Sequence, residues 1–594
     1  MVRPGRGNSG EMMAQLQQAD KAHGVGMGPL VVALLAALVL AILATTTPSP
    51  QPAGIADSQF SAGRAMADVR TIAGGAHPAG SVEDAQVVRW LVMRLNGLGM
   101  IARAEPFVPD ISTLKRELPP EWPAPHAMAN VIAVLPGRDR TLPAVALMAH
   151  HDSVAGSPAA ADDGTGVAAI IETVRALAAG PRPLRDIVVI VTDGEELGLF
   201  GARHAFQGSP PPVEPVRDHI GALINLEARG GGGRAALFQT GAANGEAVAF
   251  AARVLQQPTA SSLAVYLYRQ MPNDTDLTMA LPWADRRGVA AYNFAFIGRP
   301  GLYHSPRATP DRLDQGSLQH MGSETLSLTR ALANAPALPG PAPDVVFFDL
   351  FGLTVVTMPL WAGWVLLAAA LAGIVPLFRQ GDKPVRAALG GAARMGGLVL
   401  AAGVWVMLAN RLSLHPGGWN YYDRLAANPR LEMMAGFAAI AAFAAVLGGW
   451  RAKGPALAGA LLPLWIAGAV FQALAPMAAY VVILPVALAV LIAHLAPRSP
   501  WLAAGVAAPV IGYQLGLGHQ LFQAVGGDLP AMIALPLVLA TLAVLPLWQP
   551  MTPRLRWIVA GAALVAMLAT ALIIRTAPMA DTVPAYSLHK SRAV

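Results

Sequence analysis

Two histidines and three aspartates fall within the stretch MAHHDSVAGSPAAADDG, residues 148–164, of a chain in which only 13% of residues are charged. Side chains alternate across a β-strand, so in AVALMAHHD the side chains of His150 and Asp152 project to one side and His151 to the other. An imidazole with a carboxylate two residues on suits metal ligation: the imidazole holds the cation, and the carboxylate orients it or shapes the surroundings of a base. His150 is therefore expected as a ligand and Asp152 as the carboxylate beside it, with His151 a packed or partly exposed neighbour. Asp162 and Asp163 form an adjacent acidic pair, Glu195 and Glu196 form another, and Glu227 and His304 follow apolar runs further on. A single carboxylate can span two cations about 3.5–4 Å apart; Asp162 is expected in that role, and Asp163 as a brace for the loop backbone. The adjacent glutamates make sense if Glu196 binds metal while Glu195 faces water as a general base. A dinuclear centre results, with His150 and Glu227 on one ion, Glu196 and His304 on the other, and Asp162 shared. Nitrogen and oxygen donors of this kind suit hydrolytic zinc, with manganese or cobalt as possible substitutes.

The chain has no cysteine, which removes disulfides, thiolate metal sites and thiol catalysis from consideration. The segments that must carry the acidic and imidazole groups are NVIAVL, AVALMAH, DIVVIVTD, HIGALINLEA and AAYNFAF. They are short, apolar and bounded by turn residues, as buried parallel strands are. Helical stretches such as GTGVAAIIETVRALAAG and GEAVAFAARVLQQ lie between them. The alternation predicts an α/β fold, a mostly parallel sheet with helices on both faces. Ligands in such sheets gather beyond the carboxyl ends of the strands, and each group named above falls at such an end.

The remainder of the chain is far more apolar. No charge occurs between Lys21 and Asp57, and the intervening run predicts a transmembrane helix over 27–47 after a cytoplasmic tail over 1–26. A mixed-charge domain is expected over 55–337. Eight further spans are expected within an all-α membrane domain over 350–574, near 353–378, 388–409, 433–450, 455–473, 477–496, 501–518, 529–548 and 557–574, followed by a tail over 575–594. With the N-terminus inside, the inner tail and loops hold twelve Lys/Arg and the opposite short loops with the C-terminal tail six, so the positive-inside rule puts the globular domain and the C-terminus on the extracytoplasmic face. The net charge of +6 then reflects membrane topology, and no nucleic-acid partner is expected. The spans hold almost no ionisable group, which argues against an ion pathway.

Five fragments in order, AHHDSV, AADDGTGVAAIIE, TDGEELGLFGARHAF, INLEARGGGGRAALFQTG and YHSPRATPDRLD, resemble metallopeptidase family 28, the dinuclear zinc aminopeptidases. The resemblance is greatest to its membrane-bound branch of vacuolar membrane proteases and endoplasmic reticulum metallopeptidases. It implies a zinc-aminopeptidase-like fold and two Zn2+ ions held by His150, Asp162, Glu196, Glu227 and His304. Asp152 and Glu195 would be the catalytic residues, and the substrate a peptide with a free N-terminus. Aligning the Gly-Thr-Gly turn selects Asp162 over Asp163 as the bridge. The expected location is the periplasmic face of an inner membrane if the source is bacterial, or a vacuolar or endoplasmic reticulum lumen if eukaryotic. Alternatives are a glutaminyl-cyclase-like aminoacyl transferase and a non-catalytic receptor or assembly protein. Tyr303 is read either as packing or as a contact to the scissile carbonyl or oxyanion. RGGGGR, 229–234, is read as a wall for close approach of a peptide backbone or as a flexible loop, and NDTDL, 273–277, as a substrate-side loop. His415 and His519 are expected in outer loops.

Overall fold

A computed structural model describes residues 26–110, 127–208, 216–416, 421–527 and 529–577. The greater part of both expected tails lies outside them. The described helices, in chain order, begin with α1 (Gly28–Thr45), α2 (Ala62–Ile72), α3 (Val82–Gly97) and α4 (Gly164–Ala178). The short α5 (Glu195–Gly198) runs into α6 (Phe200–Gln207), and α7 (Gly245–Val254), α8 (Ser262–Tyr268), α9 (Asp276–Arg287) and α10 (Gln315–Asn334) follow. The strands among them are β1 (Ile101–Phe107), β2 (Met128–Leu135), β3 (Ala144–His150), β4 (Ile187–Thr192), β5 (Ile220–Ala228), β6 (Ala236–Thr240) and β7 (Ala290–Phe296).

These strands form one sheet in the order β1-β2-β4-β3-β5-β7-β6. Its centre, β4-β3-β5-β7, is parallel; at one flank β2 pairs antiparallel with β4 and β1 antiparallel with β2, and at the other β6 pairs antiparallel with β7. NVIAVL, expected to be parallel, is therefore antiparallel. Only residues 136–143 separate β2 from β3, too few for the helical crossover that a parallel pair requires. Alternation then sorts the sheet's two faces. Val145, Leu147 and Ala149 join Val189, Val191, Ile224 and Leu226 in a core covered by α2, α3, α4 and α10. Ala146 and Met148 join Ile190 and Leu223 beneath α6 and α9. The second face carries His150, Thr192 and Glu227 at the strands' carboxyl ends, where it turns from apolar to polar.

After α10 the hairpin β8 (Val345–Asp349) and β9 (Val355–Pro359) intervenes. It occupies the start of the stretch 353–378 expected to be helical throughout, and the helix there, α11, spans Ala362–Phe378. Phe347 packs into the peptide-sheet core while Val346 and Phe348 pack into the core of the apolar helices. Strand alternation thus ties the two parts of the chain together. The remaining helices are α12 (Pro384–Leu412), α13 (Tyr421–Ala426), α14 (Asn428–Val446), α15 (Gly454–Leu474), α16 (Tyr480–Leu495), α17 (Pro500–Val525), α18 (Ala534–Val544) and α19 (Pro553–Thr576). Among the described residues, seven helices are long and apolar enough to cross a membrane, while α11 and α16 are apolar but shorter. α17 continues past the expected boundary at 518, so His519 lies on a helix, and it pairs with Glu432 at 2.8 Å.

Candidate metal centre

His150 is the last residue of β3, level with Thr192 at the end of β4. Asp162 stands in the loop before α4, which Asp163 caps: its Oδ1 accepts the Gly166 N–H at 2.9 Å. A Cβ on Gly166 would lie 2.2 Å from that carboxylate, so the second glycine of the Gly-Thr-Gly turn is sterically required. β4 is followed two residues on by Gly194, whose φ of +72° is a left-handed turn that glycine adopts at little cost. This turn starts α5 and sets Glu195 and Glu196 beside the strand ends. Glu227 projects from the end of β5. His304 follows the turn Pro300–Leu302 beyond β7 and has a φ of +52°, a sparsely populated conformation for a residue with a Cβ.

All five expected ligands converge in two triads that share one carboxylate. His150, Asp162 and Glu227 form the first, and Asp162, Glu196 and His304 the second, with the candidate donor atoms of each within 4.8 Å of one another. His150 Nε2 lies 3.2 Å from Asp162 Oδ1 and 3.9 Å from Glu227 Oε2. His304 Nε2 lies 3.4 Å from Asp162 Oδ2 and 3.0 Å from Glu196 Oε1. The two oxygens of Asp162 are thus divided between the triads.

Behind them, the His150 Nδ1–H donates to the Asp152 carbonyl at 3.0 Å, which leaves Nε2 to face the carboxylates. The Asp152 carboxylate accepts the backbone N–H groups of Glu195 and Glu196 at 3.0 and 3.2 Å. One residue therefore orients both an imidazole and the Glu195–Glu196 turn. His151 points to the opposite face, as alternation predicts, and is buried. Its Nδ1–H donates to Asp84 Oδ1 at 2.8 Å and its Nε2–H to the Ala129 carbonyl at 3.1 Å. With Asp193 also near, burial opposes its charge, but the two carboxylates outweigh it and push the imidazole up to about 10. Both nitrogens carry protons and face acceptors, so this cluster is an ion pair, without a lone pair for a cation.

The electrostatics of the main site show what the donor set requires. Burial raises Glu195 well above the usual carboxylate range, and the Glu227 charge adds to it. Burial likewise raises Glu227 well above that range, with Asp163 and Asp162 adding; Glu196 is raised by burial and by Asp162. Burial also acts on Asp162, but hydrogen bonds to His150 and His304 overcome it and hold the carboxyl down at about 2. Negative charge is crowded in a space that excludes water, a condition met in proteins by pairing or by bound cations. Two imidazole nitrogens and several carboxylate oxygens, with no thiolate, fit a pair of zinc ions.

Other expectations are modified. The glycines of RGGGGR do admit a close backbone, but it is the chain's own: a Cβ on Gly230 would lie 2.2 Å from the Gly298 carbonyl. The Gly231 and Gly232 N–H groups donate to that same oxygen. The loop thereby braces the segment that leads to His304. Tyr303 stacks on the His304 ring with centroids 3.6 Å apart. The NDTDL segment supplies Asp276, which the sequence alone did not single out. Asp276 is buried, accepts the Thr192 hydroxyl, and is pushed up to about 6 by burial with Asp152 nearby. Only its place at the first turn of α9, pointed at the strand ends, connects it with the site. Arg229, read in the sequence only as the edge of RGGGGR, and Tyr421 and Tyr422, absent from that reading, approach from the side of His304.

Residues 130–329 match the model of Peptidase family M28. The chain is 33% identical over 238 residues to endoplasmic reticulum metallopeptidase 1 of Mus musculus, a match covering 39% of this chain and 26% of that protein. It is 31% identical over 254 residues to the vacuolar membrane protease of Yarrowia lipolytica, covering 42% of this chain and 24% of that protein. The chain thus spans about a quarter of the length of these curated relatives. Among solved structures it is similar to an aminopeptidase from Aneurinibacillus sp. strain AM-1, at 13% identity and a TM-score of 0.37, over 48% of this chain and 97% of that one. The resemblance to metallopeptidase family 28 read from the five motifs holds for this region.

Proposed function

We propose that this family M28 domain is a dinuclear zinc exopeptidase of aminopeptidase type, held at the extracytoplasmic face of a membrane by nine spans and acting on peptides with a free N-terminus. The observation that carries this reading is the pair of triads joined through the two oxygens of Asp162, with Glu195 beside them. His150 and Glu227 would hold one ion, Glu196 and His304 the other, and Asp162 both. Bound there, zinc would polarise the scissile carbonyl, lower the pKa of water to roughly 7 and offset the developing oxyanion charge.

The chain's own residues do the rest. Glu195, partly exposed beside the buried ligands, takes a proton from water at its carboxylate and returns it to the leaving amine. Asp152 holds the backbone of Glu195 and the ring of His150, so base and ligand keep a fixed relation. Tyr303, against His304, offers a hydroxyl on the side where the substrate carbonyl would lie. The seven long apolar helices and the two shorter ones supply the spans, and the excess of basic residues in alternate loops supports the orientation.

The test uses the full chain in detergent, with a panel of aminoacyl amides and their N-acetylated counterparts. The reading predicts hydrolysis of amides with a free amine, none of the acetylated set, loss of activity with a chelator and recovery with zinc. Turnover that a chelator does not touch would sink it, and equal cleavage of acetylated substrates would remove the aminopeptidase assignment.

A further inference from the structure

The two imidazoles of the centre are held from different parts of the molecule. His150 is oriented by Asp152, two residues away on its own strand end. His304 is oriented by a residue more than a hundred positions later, between two apolar helices: its Nδ1–H donates to the Tyr422 hydroxyl at 3.3 Å, and the ring centroids are 6.4 Å apart. Tyr422 belongs to α13, the short helix joining α12 to α14.

This contact is built into the packing. Tyr422 and Leu425 are buried among Ala79, Val154, Leu197 and Phe200 of the peptidase domain. A Cβ on Gly301, in the turn before His304, would lie 2.7 Å from Ala426 Cα, so glycine there admits the end of α13. From below, Arg424 Nη1 donates to Ser413 Oγ at 2.9 Å, fixing α13 to the end of α12. A second line of contacts reaches the same ligand. Arg229, two residues after Glu227, donates to the Tyr421 hydroxyl, and its Nη1 donates to the Ala524 carbonyl of α17 at 2.9 Å. The same guanidinium lies 5.7 Å from the centre of the Tyr303 ring, and Tyr303 stacks on His304.

We propose that the apolar helical region does more than anchor the enzyme: it completes the metal centre, with Tyr422 as the positioning residue that holds His304. An imidazole that ligates through Nε2 keeps its proton on Nδ1, and the acceptor of that proton sets the ring's angle and basicity. For His304 that acceptor is the Tyr422 hydroxyl. The metal affinity of the Asp162–Glu196–His304 triad therefore depends on how α12, α14 and α17 sit against the peptidase domain. His150 and Glu227, the ligands that only the first triad uses, both stand on strands of the peptidase domain's own sheet.

This inference rests on the dinuclear zinc reading, and the experiment separates the two. The full chain in detergent, stripped and titrated with zinc against a chromophoric chelator, gives the affinity of each ion, and cobalt substitution gives a visible spectrum of its coordination. For Tyr422→Phe one ion should bind about 10-fold or more weakly, the range for loss of a partner behind a metal ligand, with an altered cobalt spectrum and the other ion unchanged. Two ions at wild-type affinity with an unaltered spectrum would overturn the role of Tyr422. A wild-type chain that binds fewer than two zinc ions would instead overturn the dinuclear reading. If Tyr422→Phe does not fold, Tyr421→Phe loosens α13 through Arg229 while keeping the Tyr422 hydroxyl. It should weaken the same ion by a smaller factor, and unchanged affinity for both ions would refute the proposal.

Discussion

Asp152→Asn changes one buried carboxylate to a group of the same size and tests whether that carboxylate organises the centre. The two oxygens accept N–H groups from Glu195 and Glu196 at 3.0 and 3.2 Å, and Oδ1 lies 3.4 Å from His150 Nδ1. A carboxamide offers one oxygen; its NH2 must then face a backbone N–H or the imidazole N–H, donor against donor. A hydrogen bond to a charged group contributes about 1.5–3 kcal/mol, and a buried donor left without an acceptor costs about 1–3 kcal/mol. Loss of one such bond from the reacting arrangement corresponds to roughly a 10–100-fold change, at about 1.4 kcal/mol per factor of ten. Outer partners of metal ligands fall in the same range. The expectation is a kcat/KM about 10–100-fold below wild type, with a comparable loss of affinity for the ion on His150. Steady-state hydrolysis of an aminoacyl amide, zinc competition and a melting curve on the same preparation measure all three consequences. A folded Asp152→Asn chain with kcat/KM and zinc affinity within about twofold of wild type would refute the assignment of Asp152.

Glu195→Gln should retain both zinc ions while kcat falls by about 10²–10⁴, the range for general acid–base groups; near-normal kcat would remove Glu195 as the base. His151→Ala breaks the buried pair with Asp84 and should destabilise the fold by about 3–5 kcal/mol, with the zinc count unchanged. A lower count would make His151 part of the centre. His320 supplies a pH dependence remote from the site. It accepts the Ala235 N–H at Nδ1, 3.0 Å, and its Nε2–H donates to the Gln257 carbonyl at 2.8 Å, an arrangement only the neutral ring can make. Burial, aided by Arg234, lowers it from 6.5 to about 3. Between those values the unfolded chain binds a proton that the folded chain does not. Its contribution to stability is therefore full above pH 6.5 and falls by about 1.4 kcal/mol per pH unit below it. His320→Gln can keep both hydrogen bonds and should melt with a shallower acid dependence; identical slopes from pH 7 to 5 would contradict this.

Much of the domain built on the seven-stranded sheet was legible because local rules govern it. Period-two alternation separated His150 from His151, the Gly-Thr-Gly turn located Asp162, and short apolar runs marked the central strands. Strand direction was less legible, since NVIAVL is buried on both faces whether it runs parallel or not. The hairpin β8–β9 was hidden because its apolar residues, shared between two cores, read as the beginning of a membrane helix. Tyr422 left no local signal, and Asp276 only its place in NDTDL: the one reaches the site from the short helix α13 between apolar helices and the other from the first turn of α9. Their relation to His150 and His304 exists only in three dimensions. The glycines of RGGGGR were legible as a place of close approach, but not that the approaching backbone is Gly298–Arg299.

The most direct test of the dinuclear centre is zinc stoichiometry measured beside aminoacyl amide hydrolysis, for the full wild-type chain and for Asp162→Asn. Wild type should bind two zinc ions per chain, with activity rising as the second binds. Asp162→Asn, which weakens the one carboxylate common to both triads, should lose affinity for both ions together. A wild-type chain fully active with a single zinc, or an Asp162→Asn chain that keeps both ions at wild-type affinity, would contradict it.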